Sequence, residues 1–407
     1  MKVLEISHLY PVPYGPLLGI AMHKQLKYVN NKNCETLVVA PISWTPFPFN
    51  VVNNKWKLYS KIPFYQPLED IEVYHPRYLT FPNAYFSNSS GIRMYHGIRK
   101  LISEIWKKFP FDLIHAHMAL PDGYAAMLLS QNYGKPFLVT FQATDLDITA
   151  KRSNYCFISL KKVFSKSNKI ISPSPRLQKD LLENFGLDSD VIPYGIDNNE
   201  IFTSGKNSSF SEKPKSTILL SVSRLIKTKG IDLNLYAFKK LLSKYDDLIY
   251  LIIGKGPMQL HLENLAKELK IEKKVKFIGF LPHKKIMQYM FSCDIFVLPS
   301  WQETLGLVYL EAMAHGKPVV GVKGQGIDGI VDHKRNGMLV EPKDIDSLVE
   351  VIAYLIDHPQ EAKKMGERAK KLVLEKYTWK ENTNKTIQTY EEVFLSTQKS
   401  LHGNNNN

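Results

Sequence analysis

The sequence predicts an α/β protein made of two domains, each built on an open parallel sheet. Short apolar runs rich in β-branched residues alternate with helical patterns along the whole chain, which is typical of parallel strands joined by crossover helices. This alternation stops in one polar segment near residue 200 and then begins again. At 407 residues the chain is also too long for one compact core.

Each half of the chain contains enough strands for a sheet of its own. In the first half the predicted strands are Val3–Ser7, Thr36–Ala40, Ile71–Tyr74, Leu113–Ala116, Phe137–Thr140, Lys169–Ser172 and Asp190–Ile192. In the second half they are Ser216–Ser221, Leu248–Ile253, Val275–Ile278, Ile295–Pro299, Pro318–Val322 and Gly337–Val340. Because ligands of open α/β sheets bind outside the carboxyl ends of the strands, we look for chemistry in the loops that follow them.

The polar segment between the halves sets the domain boundaries. Residues 197–214 are rich in Ser and Asn and have no apolar period, which is typical of a linker. We therefore predict a first domain at 1–195, a linker at 196–215 and a second domain at 216–377. The final Gly403–Asn407 has low complexity, so we expect it to be disordered.

Composition indicates a basic globular protein. The chain is 44% hydrophobic and 23% charged, and no run of eighteen apolar residues occurs. Its net charge of +14 divides into 22 − 14 = +8 for residues 1–195 and 31 − 25 = +6 for the rest. Basic chains bind nucleic acid, anionic lipid or phosphorylated metabolites. We do not expect nucleic acid, because the chain has no zinc-finger spacing, aromatic RNA-recognition signature or arginine stripe.

The termini and the cysteines bear on the compartment. Residues 1–8 read as a first strand rather than as a signal peptide, so we expect a cytoplasmic protein. Cys34, Cys156 and Cys293 lie far apart with no paired spacing. This distribution argues against a disulfide framework and against a zinc site, and it favours reduced thiols.

Two carboxylates eight positions apart flank a glycine in the second half of the chain. If Gly306 marks the start of a helix, Glu311 falls one to two turns inside it and Glu303 stays on the loop before it. A helix N-terminus is an anion site, and an ionised carboxylate accepts two O–H bonds. The pattern suits a phosphate with hydroxyl groups on either side, although chance also places two Glu residues in such a segment.

Three further loops follow strands of the same predicted sheet. Arg224 and Lys229 could converge on a diphosphate as a planar fork and a mobile point charge, although most basic loops are simply solvated. Residues 254–256, Gly-Lys-Gly, would let the backbone approach a ligand, and a tight turn explains them equally well. Residues 279–281, Gly-Phe-Leu, offer backbone groups to a nucleobase.

Taken in order, these motifs resemble the nucleotide-sugar-binding domain of family 4 glycosyltransferases, which are retaining enzymes of the GT-B fold. The resemblance extends over nearly the whole chain through Tyr10–Gly19, Asp112–His117 with Pro121–Gly123, and Val191–Asp197. It implies two Rossmann-like domains whose open parallel sheets face a central cleft. It also implies that a C-terminal helix at 378–398 packs back on the first domain.

The resemblance implies roles for the donor-side residues. Arg224 and Lys229 would neutralise the donor diphosphate as it leaves, and Glu303 would hold hydroxyl groups of the sugar. A UDP- or GDP-sugar is the expected donor, and no metal or other cofactor is implied, because these cations do the work of a divalent ion. The other donor-binding residues implied are Gly254, Leu281, Gly306, Leu307, Val308 and Glu311.

The resemblance also places Gly19, His117, Gln142 and Asp145 on the acceptor and sugar side. Gln142 stands where many family members carry a histidine, so an uncharged amide replaces a titrating imidazole there. This departure leaves the donor sugar, and activity itself, open. A structural hydrogen bond at the end of a strand explains His117 equally well. We expect His115 to point to the opposite face of the sheet, since strand side chains alternate.

Two basic, aromatic stretches lie in the first half, at Ile92–Lys108 and Lys151–Lys166. The first has helical spacing and is better explained by a helix packed on the sheet than by an interfacial helix. The second, together with the charge of +8, favours peripheral contact with an anionic membrane.

We therefore predict a hexosyltransferase that moves a sugar from a nucleotide diphosphate sugar to a glycan or glycolipid acceptor in surface polysaccharide synthesis. It would act at the inner face of the cell membrane. One alternative is a nucleotide-sugar epimerase of the same fold, which would need no acceptor. The other is an inactive nucleotide-sugar-binding or nucleic-acid-binding protein, whose ligand binding would survive the loss of Glu303.

Overall fold

The protein is described by a computed structural model that covers residues 1–15, 18–30, 32, 34–46, 54–81, 85–201 and 216–403. It folds as two compact units. The first comprises Met1–Pro173, Leu177–Pro193 and the chain from Trp379 onward, and the second comprises Ser174–Arg176 and Tyr194–Thr378. Residues 202–215 of the predicted linker and 404–407 of the predicted tail lie outside the described residues.

The first unit contains a seven-stranded parallel sheet. Its strands are β1 (Lys2–Ile6), β2 (Glu35–Val39), β4 (Glu72–Tyr74), β6 (Leu113–Ala116), β7 (Phe137–Thr140), β8 (Lys169–Ser172) and β9 (Asp190–Val191). They lie in the order β4-β2-β1-β6-β7-β8-β9. A separate parallel pair, β3 (Ile42–Trp44) and β5 (Arg77–Leu79), was not predicted from the sequence. The central strands are buried almost throughout, as expected for a parallel sheet covered on both faces.

Among the described residues, seven α-helices lie in the first part of the chain. They are α1 (Ile20–Asn30), α2 (Asn54–Ser60), α3 (Ser90–Lys108), α4 (Tyr124–Tyr133), α5 (Ala150–Arg152), α6 (Asn154–Lys166) and α7 (Pro175–Phe185). Helix α3 buries Met94, Ile98, Leu101, Ile102 and Ile105, which recur at helical spacing. These side chains belong to the core of the unit, so the apolar face of α3 is already covered by protein.

The second unit repeats the architecture with six parallel strands in the order β12-β11-β10-β13-β14-β15. Its strands are β10 (Thr217–Val222), β11 (Leu248–Ile253), β12 (Val275–Gly279), β13 (Ile295–Val297), β14 (Val319–Val322) and β15 (Met338–Val340). Its helices are α8 (Ile231–Leu241), α9 (Gln259–Glu268), α10 (His283–Ser292), α11 (Leu307–Ala314), α12 (Ile345–Asp357) and α13 (Pro359–Lys376). The predicted α/β class with two open parallel sheets is confirmed.

The last helix, α14 (Trp379–Gly403), belongs to the first unit. Its Trp379 is 1% exposed. Asn382 donates a hydrogen bond of 2.8 Å to the carbonyl of Pro193, and Gln25 of α1 donates one of 3.0 Å to Thr386. The helix ends at Gly403, the first residue of the predicted tail, and disorder of that tail stays a prediction.

Two further observations concern the hydropathy of the helices and the cysteines. Within the part of the chain that the structure describes, every helix is too short or too polar to cross a membrane. Cys34, Cys156 and Cys293 are all buried, and none of them forms a disulfide with a described residue.

Candidate active site

The predicted donor-side residues lie at one edge of the second unit's sheet. Strands β12, β11, β10 and β13 are consecutive neighbours, and all run parallel. The loops that follow them therefore emerge at the same edge. In that strand order, these loops carry Leu281, Gly254, Arg224 with Lys229, and Glu303.

Lys229 and Glu303 are brought together. Lys229 ends a short 3₁₀ turn, Lys227–Lys229, and its Nζ forms an ion pair with Oε2 of Glu303. Both side chains are only 16% exposed. Arg224 lies on the same loop as Lys229 with an exposed side chain. The Lys229–Glu303 pair therefore lies close to the start of α11, since a Cβ at Gly306 would be 3.1 Å from the Glu303 side chain.

Helix α11 begins as the sequence predicted. Gly306 precedes it with φ 81°, a left-handed conformation that favours glycine, and no side chain caps the helix. A Cβ at this position would lie 2.6 Å from the ring of Tyr309. The Tyr309 hydroxyl donates to the carbonyl of Leu298, which fixes the first turn of α11 against the end of β13. The N–H groups of Leu307 and Val308 therefore lie at a rigid, uncapped helix N-terminus.

Glu311 lies in the next turn of α11 and has a partner that the sequence analysis missed. Its Oε1 is 2.8 Å from Nε2 of His283, the first residue of α10. His283 could have been suggested as a site residue from the sequence, because it lies two residues after Leu281 and directly after Pro282. The structure thus joins the loop after β12 to the helix after β13.

Gly254 has a structural explanation. Its φ is 136°, and a Cβ there would lie 1.8 Å from the carbonyl oxygen of Ser223. The loops after β10 and β11 pack directly on each other at this point, and Leu225 N–H donates to the carbonyl of Lys255 at 3.1 Å. Close contact within the chain is therefore enough to require a glycine at this position. Leu281 is half-buried beside Phe280, which is exposed.

The acceptor-side residues lie at the matching edge of the first unit. Strands β1, β6 and β7 are consecutive in its sheet, and His117 and Gln142 follow β6 and β7. Gly19 directly precedes α1, and its carbonyl accepts the N–H of His23 at 3.1 Å.

The prediction that His115 and His117 point to opposite faces is wrong. Side chains two residues apart on a strand share a face, because the period of a strand is two. The two ring centroids are 4.1 Å apart. Nε2 of His117 is 2.7 Å from Oε2 of Glu5, and Nδ1 of His115 is 2.7 Å from the hydroxyl of Tyr390 on α14. We call Glu5, His115, His117 and Tyr390 the Glu5 cluster.

Burial dominates the electrostatics of the Glu5 cluster. It raises the pKa of Glu5 to about 7, although His115 and the Tyr390 hydroxyl act in the opposite direction. It lowers the pKa of His115 and that of His117 to about 3, so both imidazoles are neutral at neutral pH. Nδ1 of His117 is buried and has no hydrogen-bond partner among the described residues.

The same cluster has the composition of a metal site. One ligand atom from each of Glu5, His115 and His117 lies within 4.8 Å of the other two. Hydrogen bonds already account for the arrangement, because Nε2 of His115 is also 2.8 Å from the Thr140 hydroxyl. We therefore interpret these residues as a hydrogen-bonded core network.

Asp145 is fully buried. Its carboxylate accepts the N–H groups of Ala119 at 3.2 Å, Leu120 at 3.3 Å and Gln142 at 3.0 Å. It therefore pins the loop after β6 to the loop after β7. Burial raises the pKa of Asp145 to about 6 against the opposing effect of these N–H donors. Contact of Asp145 or of the half-buried Gln142 with a sugar stays a prediction.

A histidine–aspartate pair at this edge was missed. Nδ1 of His8, just after β1, lies 2.9 Å from Oδ1 and 3.0 Å from Oδ2 of Asp122. The His8 backbone N–H also donates to Asp122 at 3.2 Å, and Asp122 is fully buried. Asp122 lies within the Pro121–Gly123 motif, but no role was predicted for it. The pairing itself depends on the neighbouring positions of β1 and β6.

The fold, with one open parallel sheet in each unit, is that of GT-B glycosyltransferases. Sucrose-phosphate synthase from Thermosynechococcus elongatus superposes with a TM-score of 0.79 at 18% identity, covering 97% of this chain and 100% of that one. Anabaena HepE in complex with UDP and glucose gives a TM-score of 0.70 at 20% identity, covering 96% and 100%. Because these two structures are only 18% and 20% identical to this chain, the similarity establishes the fold alone.

The family follows from sequence. Residues 32–200 match the model of Glycosyltransferase Family 4, and residues 205–372 match that of Glycosyl transferases group 1. The chain belongs to glycosyltransferase family 4 and is a transferase. It is 26% identical over 359 residues to the Bacillus subtilis protein named for teichuronic acid biosynthesis, TuaC, covering 86% of this chain and 88% of that protein. It is also 26% identical over 333 residues to the N-acetyl-alpha-D-glucosaminyl L-malate synthase of Bacillus anthracis, covering 77% and 84%.

Proposed function

We propose that this enzyme is a retaining hexosyltransferase whose donor is a nucleoside diphosphate sugar. Its acceptor is a lipid-linked glycan, and the reaction belongs to surface polysaccharide synthesis. The observation that carries the proposal is the Lys229–Glu303 ion pair beside the uncapped N-terminus of α11, with Glu311 in the next turn. Cations and N–H groups suit a diphosphate, and two carboxylates suit hydroxyl groups on either side of it.

Relatives support the two substrate classes. The HepE structure is described as a complex with UDP and glucose, and TuaC is named for teichuronic acid biosynthesis. Among candidate donors we therefore favour a UDP-sugar, and among acceptors a growing surface glycan.

In the proposed reaction, the bond between the anomeric carbon and the diphosphate oxygen breaks as the acceptor oxygen forms its bond on the same face of the sugar. The acceptor hydroxyl proton passes to the departing phosphate oxygen. Lys229, Arg224 and the N–H groups of Leu307 and Val308 would stabilise the negative charge that develops there. Glu303 would hold the sugar hydroxyl groups, and Glu311 the ribose. Catalysis is then charge stabilisation and positioning, and no step requires a metal.

Peripheral membrane contact is part of the proposal. Tyr155 and Ile158 of α6 are large hydrophobic residues, yet they are 70% and 60% exposed. Lys151 and Arg152 lie exposed just before them. Apolar side chains surrounded by basic ones are attracted to an anionic lipid surface, and rising ionic strength should weaken that attraction.

Nucleotide binding tests the donor site. We would measure the thermal stabilisation of the full chain by UDP, GDP, ADP and dTDP without added metal, and then by the corresponding sugar nucleotides. We expect one nucleotide to stabilise the protein, Glu311→Ala to abolish that shift and Lys229→Gln to weaken binding about tenfold or more. Lys227→Gln is the matched control, because Lys227 is an exposed lysine in the same short turn. Absence of any shift, or an equal loss in Lys227→Gln, would contradict this assignment.

A further inference from the structure

The first unit contains a cavity of about 520 Å³ at the carboxyl edge of its sheet. Its walls come from the loops after β1, β2, β5, β6 and β7, from α2 and from the start of α3. This volume lies within the range of about 300–1,000 Å³ that is usual for small-molecule sites. Six of the lining side chains are aromatic: Tyr10, Trp56, Tyr59, Tyr78, Phe81 and Tyr85.

The charged side chains that line the cavity are positive. Arg93 and Arg152 line it, and no Asp or Glu is among the described residues of its wall. The Arg93 guanidinium is half-buried, and it donates to the carbonyls of Leu79 at 2.9 Å and Phe86 at 3.0 Å. It also donates to the hydroxyl of Ser89.

All of these partners of Arg93 are neutral, and it forms no ion pair with any residue that the structure describes. Burial lowers the pKa of Arg93. The guanidinium also lies over the ring of Phe81, 5.2 Å from its centroid. Its charge is thus held by neutral groups among the described residues, and it would attract an anion that enters the cavity. Arg152, on α5, adds a second positive charge with an exposed side chain. The cavity therefore favours an anionic ligand over a neutral one of the same shape.

A fixed imidazole forms another part of the wall. His8 lines the cavity, and Asp122 holds its Nδ1 and its backbone N–H. The buried carboxylate thereby fixes the orientation of the imidazole ring. A ring held in this way is positioned to form a hydrogen bond with a hydroxyl group of a ligand. The cavity wall combines aromatic faces, a positioned imidazole and two guanidinium groups, with no carboxylate among its described residues. This combination suits a glycoside that carries a negative charge.

We infer that this cavity binds the glycosyl acceptor and that the acceptor is anionic. A sugar ring lies against the aromatic side chains, one of its hydroxyl groups meets His8, and its negative group is attracted by Arg152 and Arg93. This inference rests on the proposed function, because only a transferase has an acceptor. The negative group belongs either to the sugar, as the carboxylate of a uronic acid, or to a phosphodiester that links the sugar to a lipid chain.

Three octyl glycosides test the inference and separate the two sources. Octyl glucoside is neutral, octyl glucuronide carries a carboxylate on the ring, and octyl glucosyl phosphate carries a phosphodiester between ring and chain. Each would be titrated, as a monomeric solute, into the full-length protein without nucleotide while tryptophan fluorescence is recorded. Trp56 lies in the cavity wall and reports binding, and Trp56→Phe assigns the signal.

We expect at least one anionic glycoside to bind about tenfold or more tightly than octyl glucoside, which corresponds to one guanidinium–anion contact. Whichever anionic glycoside binds more tightly identifies the source of the charge. Arg152→Gln should remove most of that preference. Lys151→Gln is the matched control, because it removes an equal charge from the adjacent exposed residue, which does not line the cavity.

Three results would overturn the inference: equal affinity for neutral and anionic glycosides, an equal effect of Lys151→Gln, or no saturable binding of any of the three. The titration contains no nucleotide, so such a result leaves the proposed donor site standing. Conversely, failure of nucleotides to bind, with the anionic preference intact, would remove the proposed function and keep the cavity as an anionic-glycoside site.

Discussion

Replacing Glu5 by glutamine should change how the stability of the protein depends on pH. Glu5 is fully buried, and its pKa is raised from 4.5 to about 7, mainly by burial. Between these values the folded protein holds a proton that the unfolded chain has lost. The contribution of this carboxyl group to stability is therefore complete below pH 4.5 and is lost as the pH rises to about 7. The amide of the Glu5→Gln variant would stay neutral throughout and would not suffer this loss.

The size of the effect follows from the two pKa values. Each tenfold difference in proton affinity is worth about 1.4 kcal/mol, so the interval from 4.5 to about 7 corresponds to about 3 kcal/mol at most. Between pH 5 and pH 8 the free energy of unfolding of Glu5→Gln should therefore improve, relative to that of the wild type, by about 2–3 kcal/mol.

The histidines of the Glu5 cluster act in the opposite direction. Their pKa values fall from 6.5 to about 3, so they favour the folded state above pH 6.5 and oppose it as the pH falls. Because both proteins contain them, comparison of the two pH profiles largely cancels their contribution. The wild-type profile alone would not isolate Glu5.

Urea unfolding followed by tryptophan fluorescence is a suitable assay, because four of the five tryptophans, at positions 44, 56, 106 and 379, lie in the same unit as Glu5. The control is Glu35→Gln, since Glu35 is 65% exposed and pairs with Lys2 on the neighbouring strand. A difference between Glu5→Gln and wild type that is constant from pH 5 to pH 8, or that moves against the variant, would refute the assignment of a raised pKa.

Two further substitutions probe the edges of the two sheets. Gly306→Ala should lower the free energy of unfolding by about 1–3 kcal/mol, because alanine is strained at φ 81°. It should also weaken nucleotide binding. If the melting temperature and the binding were both unchanged, the start of α11 would not be rigid. Asp122→Ala should cost about 1–3 kcal/mol, because it removes the buried carboxylate that accepts from the half-buried backbone N–H and ring of His8. Asp122→Asn keeps an oxygen there and should cost less in the same melting experiment, so equal losses would contradict this reasoning.

Most of the fold could be predicted because parallel strands are buried on both faces. Such strands appear in the sequence as apolar runs between polar loops, and all thirteen predicted strands occur within two residues of their predicted bounds. Strands β3 and β5 were missed because each follows another strand, β2 or β4, after only two residues, the second of them a proline, and is itself three residues long. Their pairing is set by the surrounding tertiary structure.

In the candidate site, too, some contacts could be predicted from the sequence and others could not. Lys229 and Glu303 could be associated from sequence because loops after neighbouring parallel strands share an edge. The partnership of His283 with Glu311 could not, because it depends on how α10 and α11 pack. For Asp145, the sequence suggested a ligand contact where the structure shows contacts within the chain. A carboxylate in a loop at a strand end suggests ligand binding, yet this one is taken up by three backbone N–H groups.

Three fully buried carboxyl groups, those of Glu5, Asp122 and Asp145, lie near the carboxyl edge of the first unit's sheet. Each has a different partner, and none of them lines the cavity. Asp122 orients His8 and Asp145 fixes the loop that contributes Leu120, so both act on the cavity through its walls. Such groups are costly to bury, and they remain favourable only because every one is hydrogen-bonded. Substituting them should therefore alter the affinity for glycosides in the first unit and leave nucleotide binding by the second unit unchanged. A variant that lost both together would show instead that the whole protein had been destabilised.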